Sequence, residues 1–238
     1  MAEKLCLLVG GSKGLGRALL QTYREKGYSV IEFSRTGNSE SHRTVDLSRR
    51  ETAIDTIDNA FAEATKDRWD EIQLIINAAI LSPIGPLSMS EPKEWWQHID
   101  INFTLPISIL GRFQTHMKEM PCRKVAAFVS SGAAEHAFDG WGLYGASKAG
   151  VNQFIRSMAL EQARLASPIW CAILNPGVMD TEMQASIRNA RPDQFSQLNS
   201  FVQRYEAGEL APPEVVAHNI YTALSQPFSN GAEIRVAG

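Results

Sequence analysis

The chain is 238 residues long, 44% hydrophobic and 21% charged, an ordinary balance for one globular domain. Lys plus Arg number 23 against 26 Asp plus Glu, a formal net charge of −3. That excludes a broad nucleic-acid or anionic-membrane surface and leaves room for a local basic pocket. The three cysteines (Cys6, Cys122, Cys171) are far apart with no Cys-x-x-Cys, so a reducing, cytoplasmic setting is expected and a disulfide framework or zinc site is not.

In chain order, Leu5–Val9 reads as a buried strand, too short for a secretory apolar region. Leu15–Lys26 follows as a helix ended by Gly27, then strands at Ser29–Phe33 and, weakly, Arg43–Asp46. Arg50–Ala64 is a helix with Ile54, Ile57 and Phe61 on one face. Ile72–Asn77 is an apolar run suited to mid-sheet, and the uncharged stretch beyond it is too broken by Pro83, Gly85 and Pro86 to cross a membrane. Pro92–Met120 predicts a long helical region interrupted near Leu105-Pro106. Strand Lys124–Ser130, helix Gly145–Leu165, strand Ile169–Leu174, helix Glu214–Leu224 and strand Glu233–Val236 complete the alternation. Such alternation predicts an α/β fold: a single-domain, Rossmann-type, doubly wound parallel sheet of about seven strands with helices on both faces. Its ligand belongs at the carboxyl ends of the strands. Residues 181–213 depart from the alternation and read as a polar insertion over that edge, a substrate-binding lid.

The first strand runs straight into Gly10-Gly11-Ser12-Lys13-Gly14-Leu15-Gly16 and a helix. Glycines let a ligand approach the backbone, and the helix start offers free N–H groups to a pyrophosphate. The end of the second strand, where an NAD site needs an acid for the ribose 2′-hydroxyl, holds Ser34-Arg35-Thr36. With Lys13 nearby, a 2′-phosphate is paired instead of repelled, so NADP(H) is the expected cofactor.

Tyr144 and Lys148 stand four apart at a helix start, hence on one face, where a cation favours phenolate. Ser131 lies just past a strand end at the ligand edge, Asn102 lies within the interrupted helix, and Asn175-Pro176-Gly177-Val178-Met179-Asp180-Thr181 forms another turn at that edge. Asn102 is read as a side chain able to bend its helix and free a carbonyl for a water.

Taken together, the order and spacing of Gly10…Gly14-x-Gly16, Asp46-Leu47, Asn77-Ala78-Ala79, Asn102, Ser131…Tyr144-x-x-x-Lys148 and Pro176-Gly177-x-x-x-Thr181 resemble the short-chain dehydrogenase/reductase family over essentially the whole chain. The resemblance implies that Tyr144 donates a proton to a carbonyl oxygen, Ser131 orients it, Lys148 lowers the Tyr144 pKa and holds the nicotinamide ribose, and Asn102 keeps a relay water. It further implies that Asp46 and Leu47 border the adenine, that Asn77, Ala78, Pro176, Gly177 and Val178 line the cofactor groove, and that Thr181 holds the carboxamide. A homodimer or homotetramer acting on a small-molecule carbonyl substrate follows from the same resemblance.

Within the family, Ser130-Ser131-Gly132-Ala133-Ala134 and Gly140-Trp141-Gly142-Leu143-Tyr144 are similar to sepiapterin reductases and bacterial benzil reductases, which reduce one carbonyl of a 1,2-dicarbonyl. The implied activity is an NADPH-dependent ketone or 1,2-diketone reductase. Alternatives are a 3-oxoacyl thioester (for whose acidic carrier Arg188, Arg191 and Arg204 would form a basic patch), a steroid ketone, a pterin, or a non-catalytic dinucleotide sensor. Sepiapterin reductases anchor the pterin with an acid near the C-terminus, and Glu233 is the last acid here, which weighs against a pterin. Val9 and Ile76 replace polar residues usual in the family and are expected to face each other on neighbouring strands. Phe138, Trp141, Leu81, Met179, Met183 and Phe201 are the expected substrate pocket. The five histidines lack ligand spacing and read as surface or structural, with no metal expected; Trp95-Trp96 reads as helix packing, and Cys171 as a core residue.

Overall fold

The computed structural model describes residues 3–37 and 39–237. Its strands are β1 (Lys4–Val9), β2 (Ser29–Ser34), β3 (His42–Thr44), β4 (Glu71–Ile76), β5 (Arg123–Val129), β6 (Ile169–Asn175) and β7 (Ala232–Arg235). Its helices are α1 (Gly14–Glu25), α2 (Arg50–Ala64), α3 (Pro92–Ile99), α4 (Leu105–Met117), α5 (Gly142–Gln162), α6 (Glu182–Arg188), α7 (Leu198–Glu206) and α8 (Pro213–Ser225).

Central strands such as β4 are buried at every position, because helices cover both faces and leave no polar side to alternate with. All strand pairs are parallel, in the order β3-β2-β1-β4-β5-β6-β7. One face packs Phe61, Phe113, Val151 and Ile155 from α2, α4 and α5. The other packs Leu19, Tyr23, Val216 and Ile220 from α1 and α8. β1 lies between β2 and β4, so consecutive connections leave it in opposite directions, and a crevice opens at the carboxyl ends beside it. Val9 is in register with Ile76 there, both buried in one apolar cluster, as expected from their sequence positions.

Two sequence expectations change in detail. The helical region 92–120 resolves into α3, a π-helical turn at Asp100–Thr104 and α4, with the Leu105 N–H reaching back to the Asp100 carbonyl. Pro106 has no N–H to return to the Asn102 carbonyl four residues earlier, so the proline accounts for the break. The Asn102 side chain, at the middle of that turn, is directed to the Ile80 backbone. Trp96, read as a packing residue, is 65% exposed, while Trp95 is half-buried and donates to the Ser90 hydroxyl at 2.7 Å.

Residues 181–213 are not featureless. They form α6 and α7, seated on an apolar cluster of Ile187, Phe195 and Phe201 with Leu81, Trp141 and Tyr144. The base of the segment is closed by a bridge between Met179 and Ala211, and Asp139 accepts from the Ser196 backbone and hydroxyl at 2.9 and 2.8 Å. No described helix is long and apolar enough to cross a membrane.

Candidate active site

The glycine loop is built by close approach. Gly10 has φ +90°, and a Cβ there would collide with Ala78, two residues past the end of β4. Asn77 donates from Nδ2 to the Gly10 carbonyl at 2.7 Å, and the Asn77 and Ala78 N–H groups both donate to the Val9 carbonyl, tying loop to sheet. Gly16 leaves room for the Gly10 carbonyl, which lets α1 start close behind the loop. Across the crevice, a Cβ on Gly14 would meet the Thr181 methyl at 3.3 Å.

Sequence reasoning missed the partner beneath this loop. Glu32 in β2 is buried, accepts the Gly11 N–H at 2.8 Å and faces His42 Nδ1 at 2.7 Å. It is an acid on the second strand, yet it is turned under the loop and away from the crevice. No spacing rule connects residues 11, 32 and 42; only the β2–β3 register does.

The crevice is a cavity of about 700 Å³ that is continuous from the glycine loop to α6 and α7. Of the residues expected to hold the cofactor, it is lined by Gly10, Ser12, Lys13, Gly14, Leu15, Ser34, Arg35, Asp46, Leu47, Asn77, Ala78, Tyr144, Lys148, Pro176, Gly177, Val178 and Thr181. Gly16 and Thr36 do not line it: Gly16 acts through packing, and the Thr36 carbonyl accepts from the Ser34 hydroxyl at 3.0 Å. Of the expected catalytic residues, Ser131, Tyr144 and Lys148 line the cavity, while Asn102 is buried behind the wall formed by Ile80. Asp46 accepts from the Ser48 N–H and hydroxyl, which holds its carboxyl below the ordinary range, with Arg35 adding to the effect. Lys13, expected to meet a phosphate, pairs with Glu182 of α6 at 2.8 Å across the crevice mouth.

At the far end, Leu81, Phe138, Trp141, Met179, Met183 and Phe201 all line the same cavity, joined by Ala133 and Arg204 and by Ile187, which the sequence reading did not include. Phe195 stacks on Trp141 at 4.7 Å and 7° and holds the indole plane. Tyr144 and Lys148, one turn apart on α5, are both buried at the junction of groove and pocket. Burial pushes the Tyr144 phenol up to about 12, opposed by a hydrogen bond from Ser131. Burial pulls the Lys148 ammonium down to about 7. Lys148 Nζ donates to the Val129 carbonyl at 2.7 Å and lies 5.7 Å from the Tyr144 ring centre. In this arrangement burial dominates the Tyr144 shift, and the Ser131 hydroxyl is the opposing group.

A glycine loop at a helix start, beside a buried Tyr–Lys pair at the carboxyl edge of a parallel sheet, matches a known constellation. The family model for the short chain dehydrogenases matches residues 4–192. The chain belongs to the short-chain dehydrogenase family. As a member it is an oxidoreductase, and the crevice fits the nicotinamide dinucleotide that the family uses: it runs unbroken from the glycine loop to Tyr144, with Ala78 and Thr181 packed against Gly10 and Gly14. A benzil reductase ((S)-benzoin forming) of Bacillus subtilis (strain 168) is 32% identical over 233 residues, 96% of this chain and 96% of that one. A benzil reductase ((S)-benzoin forming) of Bacillus cereus is 30% identical, covering 97% of this chain and 98% of the relative. Among solved structures, the YIR035C short chain dehydrogenase/reductase of Saccharomyces cerevisiae is 25% identical, with a TM-score of 0.83 over 98% of this chain and 96% of that one.

Proposed function

We propose that this short-chain dehydrogenase is an NADPH-dependent carbonyl reductase acting on one carbonyl of an aryl ketone or 1,2-diketone. The observation that carries this reading is a buried phenol, one helical turn from a buried lysine, placed between a dinucleotide groove and an aromatic pocket. Because burial holds Tyr144 near 12, the phenol carries its proton at neutral pH and serves as a donor, the role that reduction needs. When bound, NADPH supplies the hydride that the carbonyl carbon receives. Tyr144 gives its proton to the carbonyl oxygen and Ser131 holds that oxygen in place. The Lys148 charge then favours the phenolate left behind.

NADPH is favoured over NADH by charge. Ser34 stands where a ribose-binding acid would, Arg35 lines the groove, and Glu32 is occupied beneath the loop by Gly11 and His42. Trp141, Phe138, Phe201 and Leu81 suit flat aryl groups, and the benzil reductase relatives support a diketone. A carrier-bound thioester is disfavoured, because two of the arginines offered for a basic patch are engaged: Arg191 with Asp193 at 2.8 Å, Arg188 over the Tyr205 ring at 3.7 Å. The test is NADPH consumption with a diaryl 1,2-diketone, sepiapterin and a 3-oxoacyl thioester in parallel. Preferential turnover of the diketone is expected. Tight NADPH binding with turnover of the thioester alone would reject the substrate class.

A further inference from the structure

Asn102 lies behind the cavity wall, and its contacts fix more than its own position. The Ile80 N–H donates to Asn102 Oδ1 at 2.9 Å, and Asn102 Nδ2 donates to the Ile80 carbonyl at 2.6 Å. This two-point pairing with one backbone residue decides which end of the amide is oxygen. The remaining Nδ2 hydrogen then faces His98 Nε2 at 2.8 Å. That nitrogen must therefore be bare, which puts the ring proton on Nδ1, where it donates to the Ser82 carbonyl at 2.7 Å. Ile80, Asn102, His98 and Ser82 are mutually satisfied in one protonation state only. His98 is fully buried, stands one turn before Asn102, and packs edge-on against Tyr144 with centroids 6.3 Å apart at 81°.

We propose that neutral, Nδ1-protonated His98 is a positioning residue of the reductase, holding Asn102 and the opened helical turn against the Ile80–Ser82 loop directly behind Tyr144. The proposal rests on the reading of Tyr144 as proton donor. A second proton on His98 would set an N–H against the Asn102 amino group, two donors face to face, and release the turn. Several groups bear on that proton. Burial resists it most, and the Lys148 charge from α5 resists it too; the Ser82 carbonyl and the Leu143 carbonyl on the first turn of α5 favour it. Tyr144, also on α5, faces the ring as a neutral phenol. The balance leaves His98 below its ordinary value of 6.5, neutral at physiological pH.

Two measurements test this on the full-length protein. The first is a two-bond ¹H–¹⁵N correlation spectrum of imidazole-labelled protein at about pH 7.5, which needs no substrate. It is expected to show one ring with protonated Nδ1 and bare Nε2, missing from His98→Gln. A proton on Nε2 would overturn the proposal. The second is the pH profile of diketone reduction. The wild type is expected to lose kcat as pH falls below the ordinary imidazole range while NADPH affinity holds. In His98→Gln the amide can accept from Asn102 and donate to Ser82 without titrating. That variant should keep kcat within about three-fold at neutral pH and lack the acid loss, while His98→Leu should lose about ten-fold or more in kcat with little change in KM. The same acid loss in His98→Gln would overturn the proposal. If no ketone is reduced but the tautomer is as stated, the functional reading fails and the His98–Asn102 lock stands on the spectrum.

Discussion

Lys148 is held in the site against its own solvation. Its ordinary value of 10.5 falls to about 7 on burial, with one hydrogen bond to Val129 in return. Between those values the unfolded chain binds a proton that the folded chain has released, so stability rises with pH across that window and the full penalty is felt below about 7. Lys148→Met should therefore be more stable than wild type at pH 7, on the order of 2 kcal/mol after the lost Val129 hydrogen bond is set against the relieved burial. The difference should shrink as pH approaches 10, and turnover should be lost throughout. Urea denaturation at pH 7 and pH 9.5 checks this; a Met variant less stable at pH 7, or a gap that widens with pH, contradicts it. Ser131 acts on a smaller scale. Its hydroxyl opposes the upward pull of burial on the Tyr144 phenol, so Ser131→Ala should lower kcat by about 10²-fold and leave NADPH affinity within about two-fold, measured by steady-state rates and fluorescence titration.

At the scale of elements, β1 and β4 carry an apolar pair where the family usually has a polar one. Val9 and Ile76 sit in register and fully packed. Val9→Thr and Ile76→Asn should each destabilise by about 1–3 kcal/mol, because each buries one polar group without a partner. The double variant should recover at least about 0.5 kcal/mol through the pair so formed, read from a double-mutant cycle; strict additivity would contradict it. The Lys13–Glu182 pair links the glycine loop to α6, and both side chains are well exposed, so it stabilises little. It does occupy the cation expected to meet a 2′-phosphate. Glu182→Gln should tighten NADPH binding a few-fold, with NADH binding and Tm unchanged; equal effects on both dinucleotides would show that the gain is not at the phosphate. Residues 181–213 were the least legible segment. Residues 181–213 are polar with scattered apolar side chains, and α6 and α7 are too short for a periodic signal. Their structure comes from Phe195 and Phe201 packing on Trp141, a contact made across more than fifty positions of sequence.

For the molecule as a whole, the parallel sheet and its crevice were readable because apolar strands and glycine turns announce themselves locally. Many of the side chains that line the crevice were readable too, through the family resemblance that their order and spacing carry. What was not readable is what holds those side chains: Glu32 under Gly11, His98 behind Asn102, and the Lys13–Glu182 pair depend on strand register and helix packing, which no single stretch of sequence encodes. A groove this extended makes cofactor binding a stabilising event for the entire fold. NADPH at about one hundred times its Kd adds about 2.7 kcal/mol, which for a chain of this length raises Tm by roughly 5–10 °C. Thermal unfolding should show that shift, with a smaller one for NADH at the same concentration.

The most direct measurement compares wild type with Tyr144→Phe in NADPH-dependent reduction of a diaryl 1,2-diketone. The account predicts reduction to a hydroxyketone by the wild type, and a fall of at least about 10²-fold in kcat with NADPH affinity unchanged in the Phe variant. A Phe variant that reduces the diketone at near wild-type rate would contradict the assignment of Tyr144 as the proton donor.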